Sequence, residues 1–519
     1  AHFPLIPIAI TIGLFLTGLK SYLCRFAFLA SAFYILLYYL SWRAVNSLNL
    51  KDPVGVIASF LLLIAEFYGV ASLLLLWLQV GTPKKSNGQT KKIENDLNLI
   101  LNLNMANILS DQIKYEPTVD IYIPIYNEPI QILEATLIGA TFMDYEKKSI
   151  FVCDDGHRYE VEKLAQSFGA TYLKGPKKQA KSGNINNALK NSKSEFCVVF
   201  DTDHIPTKEF LKETIKYFRD DKLGFIQTPH VFYNQDIFQR SYSWFKNLGN
   251  EQDLFNQEIQ DRRNQWGGTF FVGSGAVFRR KALEEINGFK LGTVTEDIHT
   301  SQELHSRGWT SRFVAKNLAV GLSTDTLRAY LVQRTRWMQG CLQIFFKDNP
   351  ILKQGLTTRQ RLGYFASLWY FFFPLARVIY WLSPLYFLLA HGHPLLCDFS
   401  ALLSYLLPFM LLRPMITGIL MPDWKRGIMG AIYEAAIVAP LAVASLRLLI
   451  PTEIEFAVTP KSKNDQALCF DWKSTLPTIV VLLMKFVAIA KGIIEMMLFG
   501  IESDAYVFNM GWAIVNLIF

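Results

Sequence analysis

Long apolar runs, gathered in two blocks with a polar stretch between them, decide most of what this chain can fold into. Runs near 3–19, 26–42 and 54–80 each approach or exceed the ~20 residues a helix needs to cross a bilayer. Further runs follow near 365–390, 396–421, 427–450, 474–500 and 504–519. The region from 82 to about 360 is polar and opens with TPKKSNGQTKK (82–92). Lysine-rich segments beside spans stay on the cytoplasmic side, so this insert is expected in the cytoplasm, with membrane blocks at 1–81 and 361–519. At 51% hydrophobic residues and mean hydropathy +0.20 the chain is too apolar for an ordinary soluble protein, and at 18% charged it is too polar for spanning helices alone. Cytoplasmic Lys and Arg account for the net charge of +8, so no nucleic-acid partner is required. Six cysteines, none in C-x-x-C spacing, suggest neither a disulfide framework nor a zinc site. No cleavable leader is evident, and a chain that stops inside an apolar run is compatible with trimmed ends.

Within 82–360, short β-branched runs alternate with helical patterns. VDIYIPIY (119–126), KSIFVCD (148–154), ATYLKG (170–175) and EFCVVFD (195–201) read as buried strands, and QILEATLIGA, EVEKLAQSFG and SGNINNALKNS as the helices between them. This alternation implies an α/β domain on a doubly wound, mostly parallel sheet. Such sheets bind ligands at the carboxyl ends of their strands.

Acidic residues stand at those ends. CDDGH (153–157) closes the second strand and FDTDH (200–204) the fourth. Asp201 and Asp203 can share a divalent cation and a diphosphate bound to it; the same letters also fit a polar turn. In AKSGNINNAL (180–189), Lys181, Asn184 and Asn186 open a helix, where anions are favoured, although plain capping by Ser182 or Asn184 explains the pattern equally. TVTEDIHTSQELHSRGW (293–309) is expected to start a helix at Thr295 and end it at Gly308. Asp297 then falls in the first turn, as a candidate proton acceptor or as routine first-turn acid. STDTLRAYLVQRTRWMQGCLQIFFK (323–347) reads as one helix capped between Ser323 and Asp325. Gln333, Arg336 and Trp337 share one of its faces and Arg334 points elsewhere. A guanidinium beside an indole suits a diphosphate next to a sugar, and also suits an interface anchor. EIEFAVTPKSK (453–463) is a loop between apolar runs.

The ordered set PTVDIYIPIYNEP, CDDG, KSGNINNAL, DTDH, QTPHVFYN, FFVGSGAVFRR, VTED, QRTRW and FAVTPK resembles the processive family 2 glycosyltransferases, and within them the cellulose synthase branch. The resemblance runs from about 115 to 500. It implies a GT-A domain between membrane blocks that elongates a β-glucan from UDP-glucose with Mg²⁺ (or Mn²⁺) and passes it through the bilayer. By the same resemblance Tyr126, Glu128 and Asp154 hold uridine near Lys181. Asp201 and Asp203 bind metal and UDP, Gln333 and Arg336 contact the diphosphate, and Asp297 is the general base. The acceptor is implied to meet Trp337, Phe271, Gly273, His204 and Glu296, close to Val272, where the family often has Cys. Phe456, Val458, Thr459 and Lys461 are implied to form a gating loop within about 452–472.

That loop has to be cytoplasmic to reach a nucleotide. The 427–450 run is therefore expected to lie along the interface rather than cross. Seven spans then remain, three of them before the insert. Other products (β-1,3-glucan, mixed-linkage glucan, a chitin- or hyaluronan-like polymer) keep the same motifs, and a nucleotide-sensing transporter is the alternative of a different class. Accessory subunits or a homo-oligomer are compatible with the sequence, and no segment resembles a cyclic-di-GMP receptor domain.

Overall fold

The four β-branched runs build the first strands of a seven-stranded sheet, and two of them, KSIFVCD and EFCVVFD, lead into the acidic turns. The strands are β1 (Val119–Ile125), β2 (Lys148–Asp154), β3 (Thr171–Lys174), β4 (Phe196–Val199), β6 (Leu223–Gln227), β7 (Ala276–Arg279) and β8 (Thr310–Phe313), while β5 (Ile205–Pro206) and β9 (Ala319–Val320) form a separate pair. The computed structural model describes residues 5–16, 22–80, 115–242, 249–420, 424–447, 472–499 and 504–518. Strand order is β3-β2-β1-β4-β7-β6-β8. β3, β2, β1 and β4 are parallel, and so are β6 and β8, but β7 runs antiparallel to both its neighbours. Val119, Ile121, Ile123 and Ile125 point into one apolar layer, and Tyr122 with Cys197 and Val199 into the other. The central strands β1, β4, β6 and β7 are thus buried on both faces, which is why they read as continuous apolar runs, whereas the edge strand β3 is exposed at both ends.

The reversal at β7 matters for the site. An antiparallel neighbour of β4 begins where β4 ends, so the Gly273–Ser274–Gly275 turn leading into β7 lies beside the Asp201 loop. Gly275 N–H donates to the Val199 carbonyl at 2.9 Å, and Asp201 N–H to Ser274 Oγ at 2.9 Å.

Among the described residues, helices Phe26–Asn46, Pro53–Gln79 and Phe373–Ala390 are long and apolar enough to cross a membrane. The other apolar runs also fold as helices: Leu5–Leu16, Phe399–Leu420, Trp424–Arg447, Trp472–Phe499 and Asp504–Ile518. The 365–390 run corrects the sequence reading, because it is divided. Helix Thr358–Tyr370, closed at its start by a Thr357–Gln360 capping box, stops before a second helix that opens with Pro374 in its first turn, a position where proline's missing N–H costs nothing.

Two contacts fasten the sheet domain to these helices. The buried Arg263 donates from Nε to Gln79 Oε1 at 3.0 Å and from Nη2 to the Gly363 carbonyl at 2.7 Å. Helix Trp424–Arg447 lays Tyr433, Ile437, Val438 and Leu441 against Phe238, Tyr330, Leu331 and Met338. The Tyr433 hydroxyl donates to Asp236 Oδ2 at 2.6 Å.

Candidate active site

One cavity of about 2170 Å³ begins at the carboxyl ends of β1, β2 and β4 and continues between the apolar helices. Tyr126, Glu128, Lys181, Asp201, Asp203, His204, Gly273, Glu296, Asp297, Gln333, Arg336 and Trp337 all line it. The same cavity reaches Tyr39, Tyr380, Phe409 and Trp512 on the membrane-block helices.

The acidic centre is built by β4 and the turn into β7. Lys181, in the first turn of helix Ala180–Lys190, donates from Nζ to Asp201 Oδ1 and to the Gly273 carbonyl, both at 2.5 Å. Gly273 has φ +96°, and a Cβ there would lie 3.4 Å from Asp297 Oδ2 and 3.7 Å from Lys181 Nζ. Glycine thus permits the left-handed backbone of a turn that borders the Asp297 carboxylate and the Lys181 amine. One ligand atom from each of Asp201, Asp203 and His204 lies within 4.8 Å of the others. The two carboxylates suit a hard divalent cation such as Mg²⁺ or Mn²⁺, while the imidazole is a softer donor beside them. His204 Nδ1 faces Asp203 at 3.4 Å, while its Nε2 is buried without a hydrogen-bond partner. The ring packs so closely on Gly321 that a Cβ there would collide with it at 2.6 Å.

Asp297 stands in the first turn of helix Glu296–Ser306. Burial, and then the neighbouring Glu296 carboxylate, push its carboxyl group up to about 7. Glu296 is itself raised by burial. The His230 ring lies tilted against His204 with 4.7 Å between ring centroids, and burial holds it down at about 3, so it is neutral.

Some sequence expectations change. Thr295 precedes this helix but makes no side-chain capping bond. In the Leu327–Lys347 helix the cap is Thr326, whose hydroxyl accepts from Ala329 N–H at 3.2 Å. Ser323 is engaged through its backbone with the Asn234 side chain instead. Neither Ser182 nor Asn184 caps the Ala180–Lys190 helix, and Asn184 Nδ2 donates to the Cys153 carbonyl at 2.6 Å. Asp154 is fully buried, with its carboxylate accepting from Gly156 N–H, Arg158 N–H and Tyr172 OH. Its neighbour Asp155 reaches the cavity. Phe271 is 1% exposed and packs against Phe278 and Phe289, whereas Val272 and Gly273 face the cavity. Arg334 does not point elsewhere. Its guanidinium lies 4.3 Å from the Trp337 ring and pairs with Glu251, a residue the sequence reading passed over. Phe456, Val458, Thr459 and Lys461 lie outside the described residues.

Fold and centre together have the arrangement of a GT-A glycosyltransferase domain: a mostly parallel sheet with one reversed strand, a D-x-D motif at a strand end, and the Asp297 carboxylate in the same cavity. Residues 196–419 match glycosyl transferase family group 2, so the chain carries a domain of that family. A UDP-forming cellulose synthase catalytic subunit of Komagataeibacter sucrofermentans is 34% identical over 92% of this chain and 63% of its own length. Cellulose synthase 2 of Novacetimonas hansenii is 34% identical over 98% of this chain and 31% of its own length. The chain is thus a homologue of bacterial cellulose synthase catalytic subunits, and it spans between 31% and 63% of these two relatives. Among solved structures, a mannosyltransferase from Pyrobaculum calidifontis in complex with GDP-Man and Mn²⁺ covers 76% of this chain and 100% of its own, with a TM-score of 0.49 at 18% identity.

Proposed function

We propose that this chain is a processive, inverting β-glucan synthase that takes glucose from UDP-glucose and passes the polymer through its own membrane helices, with β-1,4-glucan as the product. The observation that carries this reading is the continuous cavity: Asp203, Asp297 and Trp337 share it, and it runs on to Tyr39 and Trp512. A nucleotide-sensing transporter would not need a base near pH 7 opposite an acidic metal centre.

In this reading Tyr126, Glu128 and Asp155 border the uridine, and Gln333 and Arg336 hold the diphosphate through charge-assisted bonds. Asp201 and Asp203 would hold a divalent cation, Mg²⁺ or Mn²⁺, which when bound neutralises the departing diphosphate. Lys181 keeps Asp201 and the Gly273 turn in register. Asp297 takes the proton of the terminal sugar hydroxyl, whose oxygen attacks the anomeric carbon from the side opposite UDP. One displacement inverts the centre, so an α-linked donor gives a β-linked product. Trp337 offers an apolar ring to the acceptor, with Arg334 behind it. The family resemblance assigns Phe456, Val458, Thr459 and Lys461 to a gating loop for the nucleotide. The 82–360 domain is cytoplasmic in the inner membrane setting, and helix Trp424–Arg447 lies along the interface beneath it.

Purified protein incubated with labelled UDP-glucose and Mg²⁺, followed by digestion with linkage-specific glucanases, tests this. A polymer cut by a β-1,4-glucanase supports the reading. A polymer cut only by a β-1,3-glucanase moves the linkage, and no polymer from any nucleotide sugar rejects it.

A further inference from the structure

Two helices bring the reacting groups together: Glu296–Ser306, which carries Asp297, and Leu327–Lys347, which carries Gln333, Arg336 and Trp337. Ile298 shares an apolar cluster with Cys341 and Ile344 across their contact. Apolar packing is non-directional and does not fix register, whereas a hydrogen bond does. His299 stands two residues after Asp297, about 200° around the helix, and so on the face away from it. Its Nε2 lies 3.1 Å from Oδ2 of Asp348, the C-terminal cap of the second helix, and its Nδ1 lies 3.1 Å from Thr293 Oγ1. The hydrogen bond from His299, ahead of that from Lys353, holds Asp348 down at about 2, so this carboxylate is ionised and accepts. Nε2 therefore donates, and in the neutral ring Nδ1 accepts from the Thr293 hydroxyl.

Residues three and four positions beyond His299 share its face and add two more ties. Gln302 Nε2 donates to the Asp348 carbonyl at 2.8 Å, and Lys353 Nζ bridges Asp348 Oδ2 and Glu303 Oε2 at 2.8 Å each. Just before the helix, Val294 N–H donates to Gln343 Oε1 at 3.1 Å. Gly340 passes so close to Thr295 that a Cβ there would stand 2.6 Å from its backbone nitrogen. The far half of the base-bearing helix is held by other elements: Leu304 lies in the core beneath the sheet, and His305 bonds Tyr364 and Ser311. The contacts around Asp348 thus fix where the Asp297 end of this helix stands against the Trp337 wall. Neither His299 nor Asp348 lines the cavity, so any effect on the reaction passes through the residues that do.

We propose that His299 is a positioning residue for sugar transfer: by holding Asp348 it sets the distance between the Asp297 carboxylate and an acceptor sugar on Trp337. The inference rests on the glycosyltransferase reading above. Losing the bond harms the step that needs base and acceptor together. It spares nucleotide binding, which in that reading uses the ends of β1 and β2.

The test compares the full chain in lipid nanodiscs as wild type and three variants. His299→Leu removes both bonds, His299→Gln keeps an amide donor that reaches Asp348, and Asp348→Leu removes the partner from the other helix. The readouts are kcat and KM for UDP release from UDP-glucose during polymer formation, UDP affinity, and unfolding temperature. Both leucine variants are expected to lower kcat roughly ten- to a hundred-fold, the scale of an ångström-sized misplacement, with KM and UDP affinity kept. His299→Gln is expected to recover most of kcat. Wild-type kcat in a folded leucine variant overturns the proposal. So does a loss of kcat matched by an equal loss of UDP affinity, or a glutamine variant no better than leucine. If neither leucine variant folds, the pair holds the fold rather than the reacting geometry, and the proposal falls as well. An inactive wild type rejects the underlying reading, whereas an active wild type with unchanged kcat in the variants rejects this inference alone.

Discussion

Arg334 lays its guanidinium 4.3 Å from the Trp337 ring and also pairs with Glu251. The indole is therefore held flat by a buried cation, even though burial lowers Arg334 to about 10, which still leaves it charged at neutral pH. Lysine keeps the charge but not the planar stack. Arg334→Lys is expected to slow elongation roughly three- to ten-fold with UDP binding unchanged, read by polymer formation and calorimetry. Arg334→Ala strands Glu251 and is expected to cost about 3–5 kcal/mol of stability, visible as a drop in unfolding temperature.

Asp297 is raised to about 7 by burial and by Glu296. Below that pH it is protonated and cannot accept a proton. The kcat/KM for polymer formation should therefore climb as pH rises through about 7. Glu296→Gln removes the neighbouring negative charge, which stabilises the ionised form of Asp297. The rising limb should then move to lower pH. A limb that stays in place in this variant would show that Glu296 does not set the titration.

The acidic centre should make nucleotide binding depend on a divalent ion. Chelation is expected to abolish turnover, with recovery on adding Mg²⁺ or Mn²⁺. Asp203→Asn should weaken UDP binding by roughly ten-fold or more with the metal present and change it little in chelator. Equal weakening in both conditions would mean that Asp203 acts on the nucleotide without a metal.

Gly273 permits φ +96° in the turn that borders Asp297 and Lys181. Gly273→Ala adds a methyl group against the Asp297 carboxylate and about 1–3 kcal/mol of backbone strain. We expect a folded protein whose kcat falls roughly ten-fold or more while UDP affinity is kept. Unchanged turnover would place the reacting sugar away from this turn.

The first four strands were legible from their β-branched apolar runs, and β2 and β4 also because they lead into acidic turns; burial and polarity are properties of individual residues. The reversed β7 was not, since AVFR is four residues long and its direction depends on pairing with Val199 and Phe225, distant in the chain. The two acids after β2 show the same limit. Asp154 and Asp155 are adjacent and identical, and only the tightness of the turn decides that Asp154 bonds Gly156 and Arg158 while Asp155 reaches the cavity. Helical spacing correctly grouped Gln333, Arg336 and Trp337 on one wall. It missed Arg334 because the partner that orients it, Glu251, lies far away in sequence and in no recognisable motif. The break before Pro374 was concealed by uniformly aromatic residues on both sides of it.

The central claim is that Asp297 acts on the acceptor in a cavity whose nucleotide site is otherwise independent of it. Asp297→Asn, which keeps shape and loses the base, tests this most directly, with polymer formation from labelled UDP-glucose and UDP binding measured on the same preparation. The account predicts no detectable polymer together with near wild-type UDP affinity. Polymer made at an undiminished rate, or UDP binding lost in step with synthesis, would contradict it.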